Sequence, residues 1–273
     1  MPARPQGERG ERRDGGRLAG RGVVVTRPRE QADGLAAEIE RAGGVVFRFP
    51  AIEIEDVPDL GPLLALVDRL EDFGLAIFIS PSAVAKAMNL VRLRRGDRAW
   101  PARLRVAAIG RGSRRALEQQ GFSAVIAPSA HADSEALLDL PELSSVAGQR
   151  VLIFRGEGGR ELLGDTLRAR GADVTYAECY RRGRPSIDCA PLLAAWARGA
   201  VHAVTVSSGE GLANLYDMLG KLGQHWLRST PLFVPHPRLL RSAEQLGIRE
   251  IRVAGSTDEA VVRALVAYFA GAK

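Results

Sequence analysis

Cysteine is scarce in this sequence of 273 residues. Cys179 and Cys189 are the only two cysteines, and they form no Cys-x-x-Cys pair. Disulfide frameworks and cysteine-based zinc sites both need more cysteines at characteristic spacings. We therefore expect a protein of the reducing cytoplasm that holds no metal and no disulfide.

Long apolar runs are also absent. No stretch reaches the roughly 18 consecutive apolar residues that a membrane-spanning helix needs, and the N-terminus lacks the apolar segment typical of a signal peptide. We expect neither membrane insertion nor export. Apolar residues nevertheless make up 46% of the chain, which is enough for a sizeable core.

Acidic residues are few in the first 22 positions, where six arginines stand against Glu8, Glu11 and Asp14. This segment has almost no apolar side chains, so burial cannot offset the entropy lost on ordering. We predict that residues 1–20 form a disordered basic tail. Such a tail can contact phosphates, but a solvated extension is the more common outcome, so no nucleic-acid partner is expected.

An internal repeat organises the remainder of the chain. Residues 23–53 and 151–181 each show a buried strand, a turn, an amphipathic helix, a glycine stop and a second strand. Later segments pair in the same order: 76–80 with 204–208, and 106–110 with 232–236. Apolar strands that alternate with helices are typical of parallel sheets covered on both faces. The repeat predicts two doubly wound, flavodoxin-like α/β domains, and taken alone it indicates a boundary near residue 148.

Six turns follow these strands, and they are rich in glycine, hydroxyl and basic residues without an acidic cluster. Because helix N-termini present free N–H groups at the carboxyl ends of parallel strands, the turns predict a site for carboxylates or phosphates. The candidate binding residues are Arg27, Ser80, Gly110, Ser113, Arg155, Gly156, Gly158, Gly159, Ser208, Gly209, His236 and Pro237.

Each turn also has a purely structural interpretation. Ser80 before a proline is typical of a helix N-cap, and Ser207 with Glu210 predicts a capping box. His236 stands between two prolines and can simply pack there. The RGEGGR segment at 155–160 lacks the GxGxxG spacing of a dinucleotide loop, so we predict no nucleotide cofactor.

Six segments, taken in order along the chain, carry a family resemblance: 23–54, 78–91, 105–122, 152–182, 204–215 and 234–247. The most distinctive is RGEGGRELLGDTLRARGADV at 155–174, followed by ECYRR at 178–182. Together they resemble the uroporphyrinogen-III synthases, most of all the proteobacterial type. The resemblance runs from Val23 to Phe269 and leaves the basic tail outside.

The resemblance implies a two-domain fold that the chain crosses twice. Residues 21–49 and 183–273 would form a discontinuous first domain, and residues 54–176 the second. Residues 50–53 and 177–182 would be hinge strands of a two-stranded β linker, which would let a cleft open and close on a large ligand.

The family's activity would make the chain a cofactor-free lyase of haem biosynthesis. Its substrate would be hydroxymethylbilane, a linear tetrapyrrole with eight carboxylates. The enzyme would close this chain to uroporphyrinogen III with loss of water, inverting ring D through a spiro intermediate. We expect a cytoplasmic monomer that contacts no membrane and receives its substrate from the upstream deaminase.

Tyr180 in ECYRR matches a tyrosine that the family places near the departing hydroxyl. A phenol keeps its proton at neutral pH, so Tyr180 can donate a hydrogen bond or a proton there. Its alternative is a structural tyrosine lining a cleft. Ser80, Ser113 and Ser208 match hydroxyl positions of the family.

Two other functions are open from the sequence. The first is a non-enzymatic, hinge-bending module that binds an anionic small molecule. The second is a flavin carrier of flavodoxin type, which would be yellow. A proton donor at the hinge favours the enzyme over the binding module, which needs none, and a visible spectrum of the purified protein tests for a flavin.

Overall fold

A computed structural model describes residues 16–96, 100–129 and 133–271. The strands are β1 (Gly22–Val25), β2 (Val45–Arg48), β3 (Glu53–Glu55), β4 (Leu75–Phe78), β5 (Arg105–Ala108), β6 (Val125–Ile126), β7 (Arg150–Gly156), β8 (Asp173–Gly183), β9 (Ala203–Thr205), β10 (Leu232–Val234) and β11 (Ile251–Val253). The helices are α1 (Arg29–Arg41), α2 (Gly61–Asp68), α3 (Pro81–Arg95), α4 (Arg111–Gln119), α5 (Ser134–Leu138), α6 (Pro141–Ser144), α7 (Leu162–Ala169), α8 (Ala190–Ala197), α9 (Gly209–Met218), α10 (Gly220–Ser229), α11 (Leu240–Gln245) and α12 (Asp258–Gly271). Within these ranges no helix combines the length and apolarity needed to cross a membrane.

The first of two compact units takes the residues up to Glu53 and those from Arg184 onward. Its sheet has the order β11-β10-β9-β1-β2, with all neighbours parallel. Neighbouring side chains of a strand point to opposite faces of the sheet, so each strand contributes side chains to the apolar layers on both faces. Helices α8 to α11 cover one face of the sheet, and α1 and α12 cover the other.

The second unit comprises Ile54–Gly183. Its sheet has the order β3-β8-β7-β4-β5-β6, and the strands from β8 to β6 are parallel. On one face Phe78 stacks on Phe154 at 4.6 Å between ring centroids, under helices α2, α3 and α4. Helices α5, α6 and α7 cover the opposite face. The predicted α/β class, with parallel sheets in two units, is confirmed.

Both sheets have a point at which the strand order reverses. In the first unit the chain leaves β1 toward β2 on one side and returns to β9 on the other. In the second unit the corresponding reversal lies between β7 and β4. Ligands of open parallel sheets bind outside the carboxyl ends of the strands at such a point. We therefore expect ligand-binding residues in the turns after β1, β9, β7 and β4.

The last five residues of the predicted disordered tail are ordered. Residues 1–15 lie outside the described residues, but residues 16–20 belong to the fold. Leu18 is fully buried, and its N–H donates to the Ala42 carbonyl at 2.8 Å. Gly16 lies so close to that carbonyl that a Cβ would sit 2.3 Å from the oxygen. The prediction of disorder through residue 20 was wrong because one apolar side chain, Leu18, fills a gap in the first unit's core.

Local structure also differs at two predicted features. Of residues 50–53, only Glu53 lies in a strand. The Phe49 and Ala51 N–H groups donate to the carbonyls of Val25 and Thr26 at the end of β1, so they are not available for pairing with a second linker strand. The N-cap of α9 is Ser208, whose Oγ accepts the Gly211 N–H at 3.0 Å, so the capping box from Ser207 was wrong. The predicted N-cap at Ser80 is confirmed. Residues 177–182 all lie in β8, and the hinge role stays a prediction.

The buried Leu18 leads to a stability test. Leu18→Ala should lower the free energy of unfolding by about 2–5 kcal/mol, because it removes apolar contacts and leaves a cavity. Urea unfolding followed by circular dichroism measures the change. Leu222→Ala is the matched control, since Leu222 is 56% exposed and its loss should cost about 0.5 kcal/mol or less. Equal stabilities of the two variants would show that residues 16–20 do not dock.

Candidate functional site

The sequence-predicted site residues lie at or beyond the carboxyl ends of strands in both units. The second unit holds Ser80, Gly110, Ser113, Arg155, Gly156, Gly158, Gly159 and Tyr180. The first unit holds Arg27, Ser208, Gly209, His236 and Pro237.

A pair of hydroxyl groups marks the strand reversal of the second unit. The Tyr180 hydroxyl and Ser80 Oγ are 2.9 Å apart, and either can be the donor. Ser80 also accepts the Ala83 N–H at 3.0 Å, so one hydroxyl caps α3 and binds the phenol. Strand β7 lies between β8, which carries Tyr180, and β4, which precedes Ser80. The tyrosine side chain therefore reaches across a neighbouring strand.

Gly156 at the end of β7 makes this crossing possible. A Cβ at position 156 would lie 2.6 Å from Cε2 of Tyr180, a distance that real Cβ atoms do not reach. The missing side chain thus creates the space in which the ring lies. The function of this glycine is steric rather than conformational.

A β-bulge sets the direction of the tyrosine. Arg155 pairs with Glu178, but the next residue of β7, Gly156, pairs with Tyr180, so Cys179 is an extra residue in β8. Successive side chains of a regular strand alternate between faces, yet Cys179 and Tyr180 both join the apolar cluster around Phe154. Bulges commonly re-aim a side chain in this way beside active sites.

The bulge holds Tyr180 in an enclosed position. The residue is only 2% exposed, and its carbonyl accepts the Glu157 N–H at 2.7 Å. The same enclosure raises the pKa of the Cys179 thiol to about 12 through desolvation. Cys179 is therefore protonated at neutral pH and is no reactive nucleophile. Of the two side chains at the bulge, the Tyr180 phenol is therefore the candidate for the chemistry.

Arg155 is buried and paired with acidic residues of its own unit. Its side chain is 4% exposed; Nη1 contacts Glu161 Oε1 at 2.9 Å and Nε lies 3.7 Å from Glu178 Oε1. The guanidinium carbon also lies 4.4 Å from the ring centroid of Tyr176. The adjacent Tyr176 hydroxyl, and then Arg155, hold the pKa of the Glu161 carboxyl below its ordinary value. The Tyr176 hydroxyl forms no hydrogen bond to any of the described residues, so it lowers the pKa of Glu161 through its proximity alone.

Two glycines shape the loop that follows β7. Gly158 and Gly159 have φ angles of +69° and +107°, which L side chains rarely adopt. The Gly158 N–H donates to Glu178 Oε1 at 3.3 Å. Nearby, Gly110 is the N-cap of α4 and has no side chain to cap the first turn, where Ser113 is 3% exposed. Free N–H groups of such a turn suit an anion.

The first unit offers a comparable but more occupied set of groups. Arg27 forms an ion pair with Asp258 at the start of α12. Ser208 caps α9, with Gly209 beginning the helix. His236 is exposed, and its Nδ1 accepts the Arg238 N–H at 3.2 Å beside Pro237. Ser208 and His236 thus act as caps, which the sequence analysis did not predict for either residue, and their binding of anions stays a prediction.

Three acidic residues of the site escaped the sequence analysis. Glu161 and Glu178 neutralise Arg155, and Asp258 neutralises Arg27. Glu161 stands six positions after Arg155 in one loop, so a search for charge pairs within the loop could have found it. Nothing in the sequence links Arg27 to Asp258, which lies 231 positions away. Across residues 16–96, 100–129 and 133–271, no three His, Cys, Asp or Glu side chains gather as a metal site would require.

Comparison with known proteins gives a consistent result. Residues 33–263 match the family model "Uroporphyrinogen-III synthase HemD". The chain is 39% identical over 245 residues to the uroporphyrinogen-III synthase of Escherichia coli (strain K12), covering 89% of this chain and 99% of that protein. A crystal structure of a mutant uroporphyrinogen III synthase from the extremely thermophilic bacterium Thermus thermophilus is similar, with TM-score 0.58, 17% identity and coverages of 93% and 100%.

The uroporphyrinogen-III synthetase structure from Helicobacter pylori 26695 is also similar. Its TM-score is 0.56 at 13% identity, with coverage of 91% of this chain and 99% of that chain. At such identities the likeness to both solved structures concerns the fold alone.

The space above Gly156 can be tested directly. Gly156→Ala should lower the free energy of unfolding by about 1–3 kcal/mol, because the new methyl group displaces the Tyr180 ring from a packed position. Gly271→Ala is the matched control, since a Cβ there meets nothing within 4 Å. Urea unfolding measures both variants. If Gly156→Ala were as stable as its control, the ring would not lie where we place it.

Proposed function

Because the chain belongs to the uroporphyrinogen-III synthase family, whose enzymes act in tetrapyrrole biosynthesis, we propose that it converts hydroxymethylbilane to uroporphyrinogen III. The reaction closes the linear tetrapyrrole with loss of water and inverts ring D through a spiro intermediate. The observation that carries the assignment of residues is the 2.9 Å contact between Tyr180 and Ser80 at the strand reversal of the second unit.

The first step is departure of the terminal hydroxyl of the bilane. Tyr180 is hydrogen-bonded to that oxygen and donates its proton as the oxygen leaves as water. The pyrrole to which the oxygen was attached supplies the electron pair and becomes a positively charged azafulvenium, and the proton released later at ring closure restores the phenol. Because the pyrrole delocalises the developing charge itself, the protein has to assist only the leaving group.

Ser80 orients the phenol for this step. Ser80 Oγ already accepts the Ala83 N–H, and its own proton is available for the Tyr180 oxygen at 2.9 Å. When Ser80 donates in this direction, the phenol proton is free to point toward the substrate. The capping bond fixes the serine rotamer, so the donor direction is set by α3 rather than by the substrate.

The second step determines which isomer forms. Ring D attacks through its substituted carbon, the spiro intermediate fragments, and the ring recloses in inverted orientation with loss of a proton. Unassisted closure gives the type I isomer instead. The protein's main contribution is then to hold the reacting ends in the geometry for spiro attack, which is catalysis by positioning.

The carboxylates of the substrate bind mainly to backbone N–H groups and hydroxyls. The proposed contacts are Gly110, Ser113, Gly156 and Gly159 in the second unit, and Ser208, Gly209 and His236 in the first. Gly158, whose N–H is donated to Glu178, and Pro237, which has no N–H, shape these turns without donating to the substrate. The arginines predicted for this task, Arg27 and Arg155, are paired with acids of the same chain. Neutral donors therefore carry more of the recognition than the sequence suggested.

The cellular context is part of the same proposal. The chain acts as a cytoplasmic monomer, and the upstream deaminase passes the unstable bilane to it. Its two cysteines are free thiols, which fits a reducing compartment. A non-enzymatic binding module has no support from the family to which the chain belongs.

Product identity is the direct test of the reaction. Hydroxymethylbilane is supplied to the purified protein, the products are oxidised to porphyrins, and the type I and type III isomers are separated by chromatography. We expect an excess of type III that rises with protein concentration, because only enforced spiro attack inverts ring D. If type I alone forms with well-folded protein, the proposed function is wrong.

The role of the phenol has its own test. Tyr180→Phe keeps the ring and removes the hydroxyl, so turnover should fall by ~10²-fold or more, the scale of general acid catalysis. Tyr216→Phe is the matched control, because it removes a tyrosine hydroxyl that is hydrogen-bonded to Arg228 in the first unit. Near-normal turnover of Tyr180→Phe would leave conformational control as the whole mechanism.

A further inference from the structure

The geometry points to Arg155 as a positioning residue that holds Tyr180 and the loop at 156–161 in place, rather than as a ligand of substrate carboxylates. This inference rests on the proposed role of Tyr180 in the reaction. It replaces the sequence-based expectation of a guanidinium open to an anion.

Arg155 and Tyr180 lie on opposite faces of the same sheet. Phe154 shares the apolar cluster of Tyr180, whereas Arg155, the next residue, contacts Tyr176 on the other face. Tyr176 packs with the cluster that contains Ile153. Arg155 therefore reaches the phenol only through the backbone of β7 and β8.

A buried guanidinium needs acidic partners, and Arg155 holds in place the segments that carry those partners. Moving a charge out of water is costly unless it is neutralised and hydrogen-bonded. Arg155 meets this requirement with Glu161 at 2.9 Å, at the far end of the loop, and with Glu178 at 3.7 Å, on the neighbouring strand. Its Nε also donates to the Gly156 carbonyl at 3.3 Å. One side chain thus connects the start of the loop, its end and β8.

The loop is in turn bonded to the tyrosine. Glu178 accepts the Gly158 N–H at 3.3 Å, which fixes the middle of the loop. The Glu157 N–H donates to the Tyr180 carbonyl at 2.7 Å. Arg155 and Glu178 also form the last regular cross-strand pair before the bulge that directs Tyr180. Loosening Arg155 should therefore move the bulge, and the phenol with it.

Kinetics distinguish a positioning residue from a carboxylate ligand. Arg155→Lys keeps the positive charge but cannot span Glu161 and Glu178 with one planar fork. We expect kcat for type III product to fall by about 10- to 100-fold, the usual result of misplacing a reacting group. KM should stay within about twofold of the original, since the guanidinium itself contacts no substrate carboxylate and the loop N–H groups are only a few of the donors proposed to bind the eight carboxylates. Arg160→Lys is the matched control, because Arg160 lies in the same loop but is 59% exposed.

A second variant approaches the same network from the loop. Glu161→Gln keeps the shape of the side chain and leaves Arg155 intact, but removes the charge that pairs with it. It should reproduce the loss of kcat at unchanged KM. Because the two variants disturb folding differently, agreement between them excludes a simple loss of folded protein. Urea unfolding of each variant provides the folded fraction by which kcat is corrected.

Hydrogen exchange measures the loop without any substrate. The amides of Glu157 and Gly158 should exchange faster in Arg155→Lys and Glu161→Gln than in the unchanged protein or in Arg160→Lys, because their acceptors are less firmly held. This measurement does not depend on the proposed reaction. It therefore separates failure of the inference from failure of the function.

The outcomes are distinct. Lower kcat with constant KM and faster loop exchange supports positioning. A KM raised about tenfold or more with constant kcat would identify Arg155 as a carboxylate ligand and overturn the inference. Unchanged kinetics and exchange in both variants would also overturn it. If the unchanged protein yields no type III isomer, the proposed function fails, while the exchange result still decides whether Arg155 holds the loop.

Discussion

The arrangement around Tyr180 depends on the empty space above Gly156. A phenol on β8 can meet a hydroxyl after β4 only by lying across β7, and any side chain at position 156 would block it. The bulge at Cys179 directs the Tyr180 ring across β7, Gly156 leaves space for that ring, and Ser80 is the hydrogen-bond partner of its hydroxyl. The three conditions come from three strands, so the site exists only once the second unit's sheet has formed.

Internal pairing of arginine side chains affects how this fold can recognise an anion. Arg27 and Arg155 lie at strand ends where a carboxylate could bind, yet both are neutralised by acids of the chain. In the proposed function, recognition depends mainly on N–H groups at helix starts and in the glycine loop, which are neutral and directional. Such donors bind with a defined geometry, which suits a reaction in which placement decides the product.

Periodicity predicted much of this structure. The amphipathic helix expected within residues 23–53 is α1, whose Leu35 and Ile39 are buried, and the cap at Ser80 follows from two adjacent residues. The bulge was not predictable, because it depends on which residues of two strands pair. The partner of Arg27 lies 231 positions away for a similar reason. Leu18 was missed because composition averages conceal a single buried side chain in a polar segment.

The discontinuity of the first unit has a consequence for synthesis on the ribosome. The second unit is one continuous segment, Ile54–Gly183, and all of its strands except the start of β3 lie within that segment. The first unit begins earlier but needs β9 beside β1, and β9 is made only after the second unit is complete. Strands β1 and β2 therefore emerge with one edge unpaired, a state that exposes them to wrong pairing. In the nascent chain, β1 and β2 precede the second unit, yet their sheet is completed only after that unit has been made.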